Sequence, residues 1–216
     1  MIELSNVTYD YTSKAGKVHA LRGVSVKFEP GKMYAITGRS GSGKTTLLSL
    51  IAGLDSPLNG TITVNGTDIS SVDRDKYRRE NIGMVFQAYY LLPQLTVAEN
   101  IMLSSEITKQ AKPDVAMLLE IVGLSAFHGK KRANQLSGGE QQRVAIARAI
   151  ATEPPIILAD EPTGNLDNEN SKNIISLLKS MAHERQKCVI VVTHSEEIAA
   201  EADVRYVMSD GSLLAV

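Results

Sequence analysis

The chain has no tryptophan, one cysteine, three phenylalanines, and almost no net charge. A lone cysteine excludes an intramolecular disulfide, and Cys188 stands in the β-branched run Cys188-Val189-Ile190-Val191-Val192, where it reads as a small buried hydrophobe. With 23 basic against 24 acidic side chains, no global field draws the chain to nucleic acid, and no nucleic-acid partner is expected. That apolar run is far shorter than the roughly 18–20 residues needed to span a bilayer, so the chain is not expected to cross a membrane unaided. The opening Met1-Ile2-Glu3-Leu4-Ser5-Asn6 lacks a charged stretch followed by an apolar one, and no secretory leader is expected. These features together point to the cytoplasmic side.

What is present suits one globular unit: 216 residues, 43% of them hydrophobic and 22% charged, are enough to bury a substantial core. Leu21, Val24, Val26 and Phe28 lie along one segment, and Thr61 to Gly66 reads as a strand entering a turn, so a partly antiparallel sheet is expected near the start. Met33–Thr37, Ile82–Phe86, Ile156–Ala159 and Val189–Thr193 are short, nearly continuous apolar runs, the pattern of parallel strands covered on both faces. Helical periodicity follows at Lys44–Ala52, Val97–Ser105, Asp114–Val122, Gly139–Thr152, Ser171–His183 and Glu196–Ala202. The expectation is an α/β nucleotide-binding core with a mainly parallel sheet and an antiparallel β subdomain. Residues 1–87 and 151–216 form that core, and 88–150 form an inserted helical subdomain.

Gly38-Arg39-Ser40-Gly41-Ser42-Gly43-Lys44-Thr45-Thr46 follows a predicted strand and opens a predicted helix. In that context a glycine-rich string is a phosphate-binding loop: backbone amides converge on phosphate oxygens, and the helix N-terminus adds its positive dipole end. Lys44 is placed to bridge the β- and γ-phosphates, and the Thr45 hydroxyl to ligate Mg²⁺. Asp160 and Glu161, at the end of the run Ile156–Ala159, give a carboxylate for the metal site and a second to deprotonate the attacking water. Without the phosphate loop the same pair would read as an acidic turn capping a strand. Gln87 and His194 stand just beyond two other core strands, at the edge where such sheets hold ligands. In isolation each reads as a surface side chain; at this position, an amide that ligates Mg²⁺ or holds water and an imidazole that donates to phosphate compete evenly with that reading.

Leu136-Ser137-Gly138-Gly139-Glu140-Gln141-Gln142-Arg143 opens a further predicted helix. Taken locally it is a serine N-cap followed by an acidic first turn. As a second potential anion site beside a full phosphate loop, it resembles the signature of the ABC ATPase family, and the resemblance covers essentially the whole chain.

The resemblance implies ATP and Mg²⁺ as cofactors, ATP hydrolysis, and a head-to-tail dimer in which Ser137, Gly138 and Gly139 of one subunit close over the nucleotide held by Gly38, Ser40, Gly41, Ser42, Gly43, Lys44, Thr45 and Thr46 of the other. It makes Gln87 the Q-loop residue, Asp160 and Glu161 the metal and general-base pair, and His194 the switch histidine. Asp167, in Asn165-Leu166-Asp167, becomes a dimer-seam residue. Tyr11 becomes the aromatic that stacks on adenine; its other reading is an edge-strand surface aromatic.

The partners implied are an integral-membrane permease and a second ATPase subunit, identical or not, with the chain peripheral at the inner face of the membrane. The string Asp160 to Asp167 is similar to the group that serves macrolide and antimicrobial-peptide export, lipoprotein release and cell-division signalling. Tyr89-Tyr90-Leu91-Leu92-Pro93 either receives a permease helix or packs the inserted lobe. The competing readings are a transenvelope signalling ATPase that moves no solute, an ABC ATPase directed at DNA or ribosomes, and a small-molecule kinase. The long coiled coil or second ATPase half that would support a DNA or ribosome role is missing, and a kinase has no use for the 136–143 string.

Overall fold

The computed structural model describes residues 1–13, 16–108 and 111–216. The chain opens with two long strands, β1 (Ile2–Ser13) and β2 (Gly16–Phe28), followed by β3 (Met33–Thr37) and helix α1 (Lys44–Ile51). Next come β4 (Asn59–Val64), β5 (Thr67–Asp68), α2 (Arg74–Asn81) and β6 (Ile82–Val85). Three helices occupy the middle: α3 (Val97–Thr108), α4 (Val115–Ile121) and α5 (Gly138–Ile150). The last part alternates β7 (Ile156–Asp160), α6 (Asn168–His183), β8 (Cys188–Val192) and α7 (Glu196–Glu201), then ends in β9 (Val204–Ser209) and β10 (Ser212–Ala215).

Two sheets result. An antiparallel sheet has the order β2-β1-β4-β5, and a six-stranded sheet has the order β10-β9-β3-β8-β7-β6. In the larger sheet every pairing is parallel except that of β10 with β9, so the expected α/β class with an antiparallel β subdomain is what forms. The continuous apolar runs are explained by burial on both faces. Tyr34, Ile36, Leu158, Ile190 and Val192 point into one core, shared with α1 and the antiparallel sheet. Their neighbours Met33, Ile157, Ala159, Val189 and Val191 point into the other, shared with α3 to α7. Each fully buried leucine or isoleucine in these cores is worth about 1.5–3 kcal/mol relative to exposure, which sets the strand register firmly. No helix among the described residues is long and apolar enough to cross a membrane.

Some elements depart from the sequence reading. Helix α2 was not expected because its run Arg74-Asp75-Lys76-Tyr77-Arg78-Arg79-Glu80-Asn81 is almost wholly polar and buries only Tyr77. Its start is nevertheless written locally, since the Asp73 carboxylate accepts from the N–H groups of Asp75 and Lys76. The β9–β10 hairpin was also not expected. Its turn, Asp210-Gly211, has positive φ at both residues (46° and 80°), the geometry that favours an Asp-Gly pair in a two-residue hairpin. Helix α6 begins at Asn168, three residues before the periodicity suggests, because Asp167 caps it by accepting from Asn170 N–H at 2.8 Å.

Candidate nucleotide site

The loop between β3 and α1 admits no side chain at two of its glycines. Gly43 has φ 109°, and a Cβ there would lie 2.4 Å from the Ala20 carbonyl oxygen; a Cβ on Gly38 would lie 2.3 Å from that of Met208. The loop curls so that Lys44 Nζ donates back to the carbonyls of Gly38 (2.7 Å) and Arg39 (3.0 Å), which places the ammonium at the loop's centre. Beside it, Thr45 Oγ1 donates to Asp160 Oδ2 at 3.1 Å. Thr46 Oγ1 lies 3.2 Å from the hydroxyl of Tyr11, which projects from β1 with about half its surface exposed.

Of these, Tyr11, Gly43, Lys44, Thr45, Thr46 and Asp160 line a cleft of about 600 Å³ with Val18, Ala20, Ser40, Gly41, Gln87, Glu161 and His194. That brings together the side chains of Tyr11, Lys44, Thr45, Thr46, Gln87, Asp160, Glu161 and His194, drawn from five parts of the chain. Gly38 and Ser42 line a neighbouring pocket on the other side of the loop instead, against residues 207–210.

Asp160 is half-buried, and its burial is the main reason its carboxyl pKa is pushed up; the adjacent Glu161 adds to this, while Thr45 and Lys44 oppose it. A carboxylate and a hydroxyl side by side, with an amide at the rim, are hard oxygen donors that fit a small divalent cation. No group of three or more acidic, histidine or cysteine side chains forms a closed metal cage among the described residues. An incomplete set suits Mg²⁺, which takes one or two protein oxygens and completes its shell with phosphate and water.

Glu161 has φ 49°, left-handed for a residue with a side chain, and it lines the cleft. Oε1 lies 2.9 Å from His194 Nδ1; Oε2 accepts from Thr193 Oγ1 (3.1 Å) and His194 N–H (3.3 Å). The imidazole itself is largely exposed. Gln87 is exposed at the cleft rim, its amide packed over Gly164, where a Cβ would come within 2.8 Å of Nε2.

Ser137, Gly138, Gly139 and Asp167 do not line this cleft. Ser137 caps α5 through a reciprocal box: its Oγ accepts from Glu140 N–H, and Glu140 Oε2 accepts from Ser137 N–H at 2.7 Å. Those Ser137 bonds, with a 3.0 Å contact from His128 Nε2, hold the Glu140 carboxyl below its ordinary range. Asn170 joins the signature to Asp167: its Nδ2 donates to both Asp167 oxygens, and its Oδ1 would lie 2.4 Å from a Cβ on Gly139. The roles of His128, Asn170 and Thr193 escaped the sequence reading: His128 and Thr193 act through the distant Glu140 and Glu161, and Asn170, though bonded to nearby Asp167, meets Gly139 only in the fold.

Residues 21–164 match the family described as ABC transporter. Among curated relatives, an uncharacterized ABC transporter ATP-binding protein of Bacillus subtilis, YclH, is 40% identical over 98% of this chain and 95% of its own. A lipoprotein-releasing system ATP-binding protein, LolD, of Saccharophagus degradans is 44% identical over 99% of this chain and 96% of its own. Among solved structures, the dimeric ABC transporter cassette MJ0796 superposes with a TM-score of 0.89 at 38% identity, over 99% of this chain and 96% of that one. A dimeric post-hydrolysis state of the same cassette, bound to ADP and Pi, superposes with a TM-score of 0.89 at 37% identity over the same shares.

Proposed function

Because the chain belongs to the ABC transporter family, as an ATP-hydrolysing cassette, we propose that its cleft binds Mg-ATP between two subunits packed head to tail and drives a separate membrane permease. The observation that carries this is the arrangement of charge. One cleft holds a cation, a metal-type pair and a tethered carboxylate (Lys44, Thr45 with Asp160, and Glu161 with His194), while the second anion-type site at Ser137 faces elsewhere. A second subunit related by two-fold symmetry would bring that site to the open side of the cleft, and the similar cassette MJ0796 is dimeric in both of its solved states.

In this reading Tyr11 stacks on adenine. The amides of residues 38–46 and the Lys44 ammonium hold the phosphates, with Gly38 and Ser42 contributing from behind the loop. Thr45, Asp160 and Gln87 hold Mg²⁺, which when bound neutralises phosphate charge. Glu161 takes the proton of the water that attacks the γ-phosphorus, the bond from that phosphorus to the ADP oxygen breaks, and ADP and phosphate leave. His194 orients the Glu161 carboxylate and donates toward the γ-phosphate. Ser137, Gly138 and Gly139 of the partner subunit supply amides to the same phosphate, and Asp167 lies at the seam. Residues 88–150 act as a lobe that shifts when these contacts are lost, passing the motion to the permease through the segment after Gln87.

The relatives that release lipoproteins favour a permease acting on lipoproteins or peptides, with this chain peripheral at the inner face of the membrane. The test is Glu161→Gln. With slowed hydrolysis, the protein's mass in solution doubles on addition of ATP and Mg²⁺ and stays single without them. A monomer at saturating ATP contradicts the proposal.

A further inference from the structure

Glu161 holds a backbone conformation that side chains other than glycine rarely adopt, so something must keep the turn in place. Part of the hold is local: Glu161 N–H donates to Val192 O at 2.9 Å, and Gly164 N–H donates to Glu161 O at 3.1 Å. Another part comes from a different element. The Gln142 side chain, on α5, donates from Nε2 to the carbonyl of Pro162 at 2.7 Å. Gln142 is fully buried, on the α5 stripe that also buries Gly139, Ala145 and Ile146, three or four residues away.

The amide is poorly suited to that place on stability grounds. Its Oε1 has no hydrogen-bond partner, so half of a buried polar group has lost its water without replacement. An apolar side chain of similar length would leave only the Pro162 carbonyl unpaired. What the amide does supply is a fixed distance between two functional segments. The Pro162 carbonyl is one peptide unit beyond Glu161, and Gln142 is five residues along the helix that Ser137 opens.

We propose that Gln142 is a positioning residue for ATP hydrolysis: through Pro162 it holds the Glu161 turn in its strained, productive form and ties that turn to the signature helix. This rests on the reading of Glu161 as general base. Each subunit therefore joins its own hydrolytic carboxylate to the signature it offers its partner's nucleotide, by one buried bond. Loss of the bond leaves the nucleotide-binding surfaces in place and lets the Glu161 carboxylate wander, so it acts on the chemical step.

The test uses the full-length chain as Gln142→Met and Gln142→Leu. Three quantities are measured: kcat and KM for ATP, the thermal midpoint, and ATP-dependent dimer mass in the Glu161→Gln background. The expected result is kcat lower by about tenfold or more with KM within about twofold, since only the step that uses Glu161 is disturbed. The midpoint is unchanged or higher, and the Glu161→Gln double variants still double in mass with ATP.

A kcat within about twofold of the parent overturns the proposal, as does a kcat that falls only in proportion to the folded fraction. A midpoint lowered by more than about 5 °C in both variants marks the amide as structural and overturns it too. The underlying reading fails separately. If Glu161→Gln alone keeps full kcat, the general-base assignment is wrong; if Glu161→Gln is inactive while Gln142→Met matches the parent, only the role of Gln142 is lost.

Discussion

The Thr45 hydroxyl donates to Asp160 Oδ2 at 3.1 Å, so the helix that follows the phosphate loop and the end of β7 meet through the chain's own atoms. Burial raises the pKa of this carboxyl, with Glu161 adding to the shift. A group whose folded pKa is raised contributes stability that is full at low pH and is lost as pH rises from the ordinary carboxylate range through the raised value. Asp160→Asn, which carries no charge, is therefore expected to gain in thermal midpoint over the parent, by more at pH 7 than at pH 4. Its Mg²⁺-dependent hydrolysis should fall by about 100-fold, the scale for removing a key electrostatic group. Melting curves across pH, with phosphate release at pH 7, check both arms; a midpoint difference that does not change with pH contradicts the first.

Asp203 behaves in the opposite sense. Burial works against its ionisation, but the Met33 N–H at 2.7 Å and His183 hold its pKa below the ordinary value. Its contribution to stability is present above the unfolded pKa and is lost as pH falls through the depressed folded value. Asp203→Ala leaves the Met33 N–H without its acceptor and is expected to cost about 1–3 kcal/mol at pH 7. The cost should shrink in denaturant titrations run at progressively lower pH, toward 3.

The Cys188 thiol is buried in the central sheet, and burial pushes its pKa up to about 12. The thiolate is the reactive form, so the native protein should resist a thiol reagent at pH 8 and react fully only when unfolded. Labelling followed by intact mass, with and without denaturant, checks this. Rapid native labelling would mean that β8 opens far more readily than its packing indicates.

The sequence was most legible where chemistry requires a contiguous string. The phosphate loop needs glycines and Lys-Thr in order, and the four core strands are apolar on both faces, so both could be located before the fold was seen. Helix α2 was hidden because it packs through Tyr77 alone and so has no apolar stripe to count. The β9–β10 hairpin carried an Asp-Gly signal, but its exposed outer residues, such as Leu214, blur the alternation. Within the site, Gln87 and His194 could be placed at a strand edge, whereas the His194–Glu161 pairing needs the relative height of two strands, β7 and β8. Gln142 is marked in the sequence only as a member of the 136–143 string. Its burial and its bond to Pro162 depend on how α5 settles against the turn after β7, and no local pattern records that.

The central claim is that each nucleotide is enclosed by the loop of one subunit and the signature of the other, and mixing two inactive proteins tests it most directly. Lys44→Ala disables the loop and Ser137→Phe blocks the signature, so each alone should release phosphate at near background. In a mixed dimer, one composite site joins the intact loop of the Ser137→Phe subunit to the intact signature of the Lys44→Ala subunit. Phosphate release well above the sum of the two separate proteins is the expected result. Release no greater than that sum, with mixed dimers shown to form, would contradict a site shared between subunits.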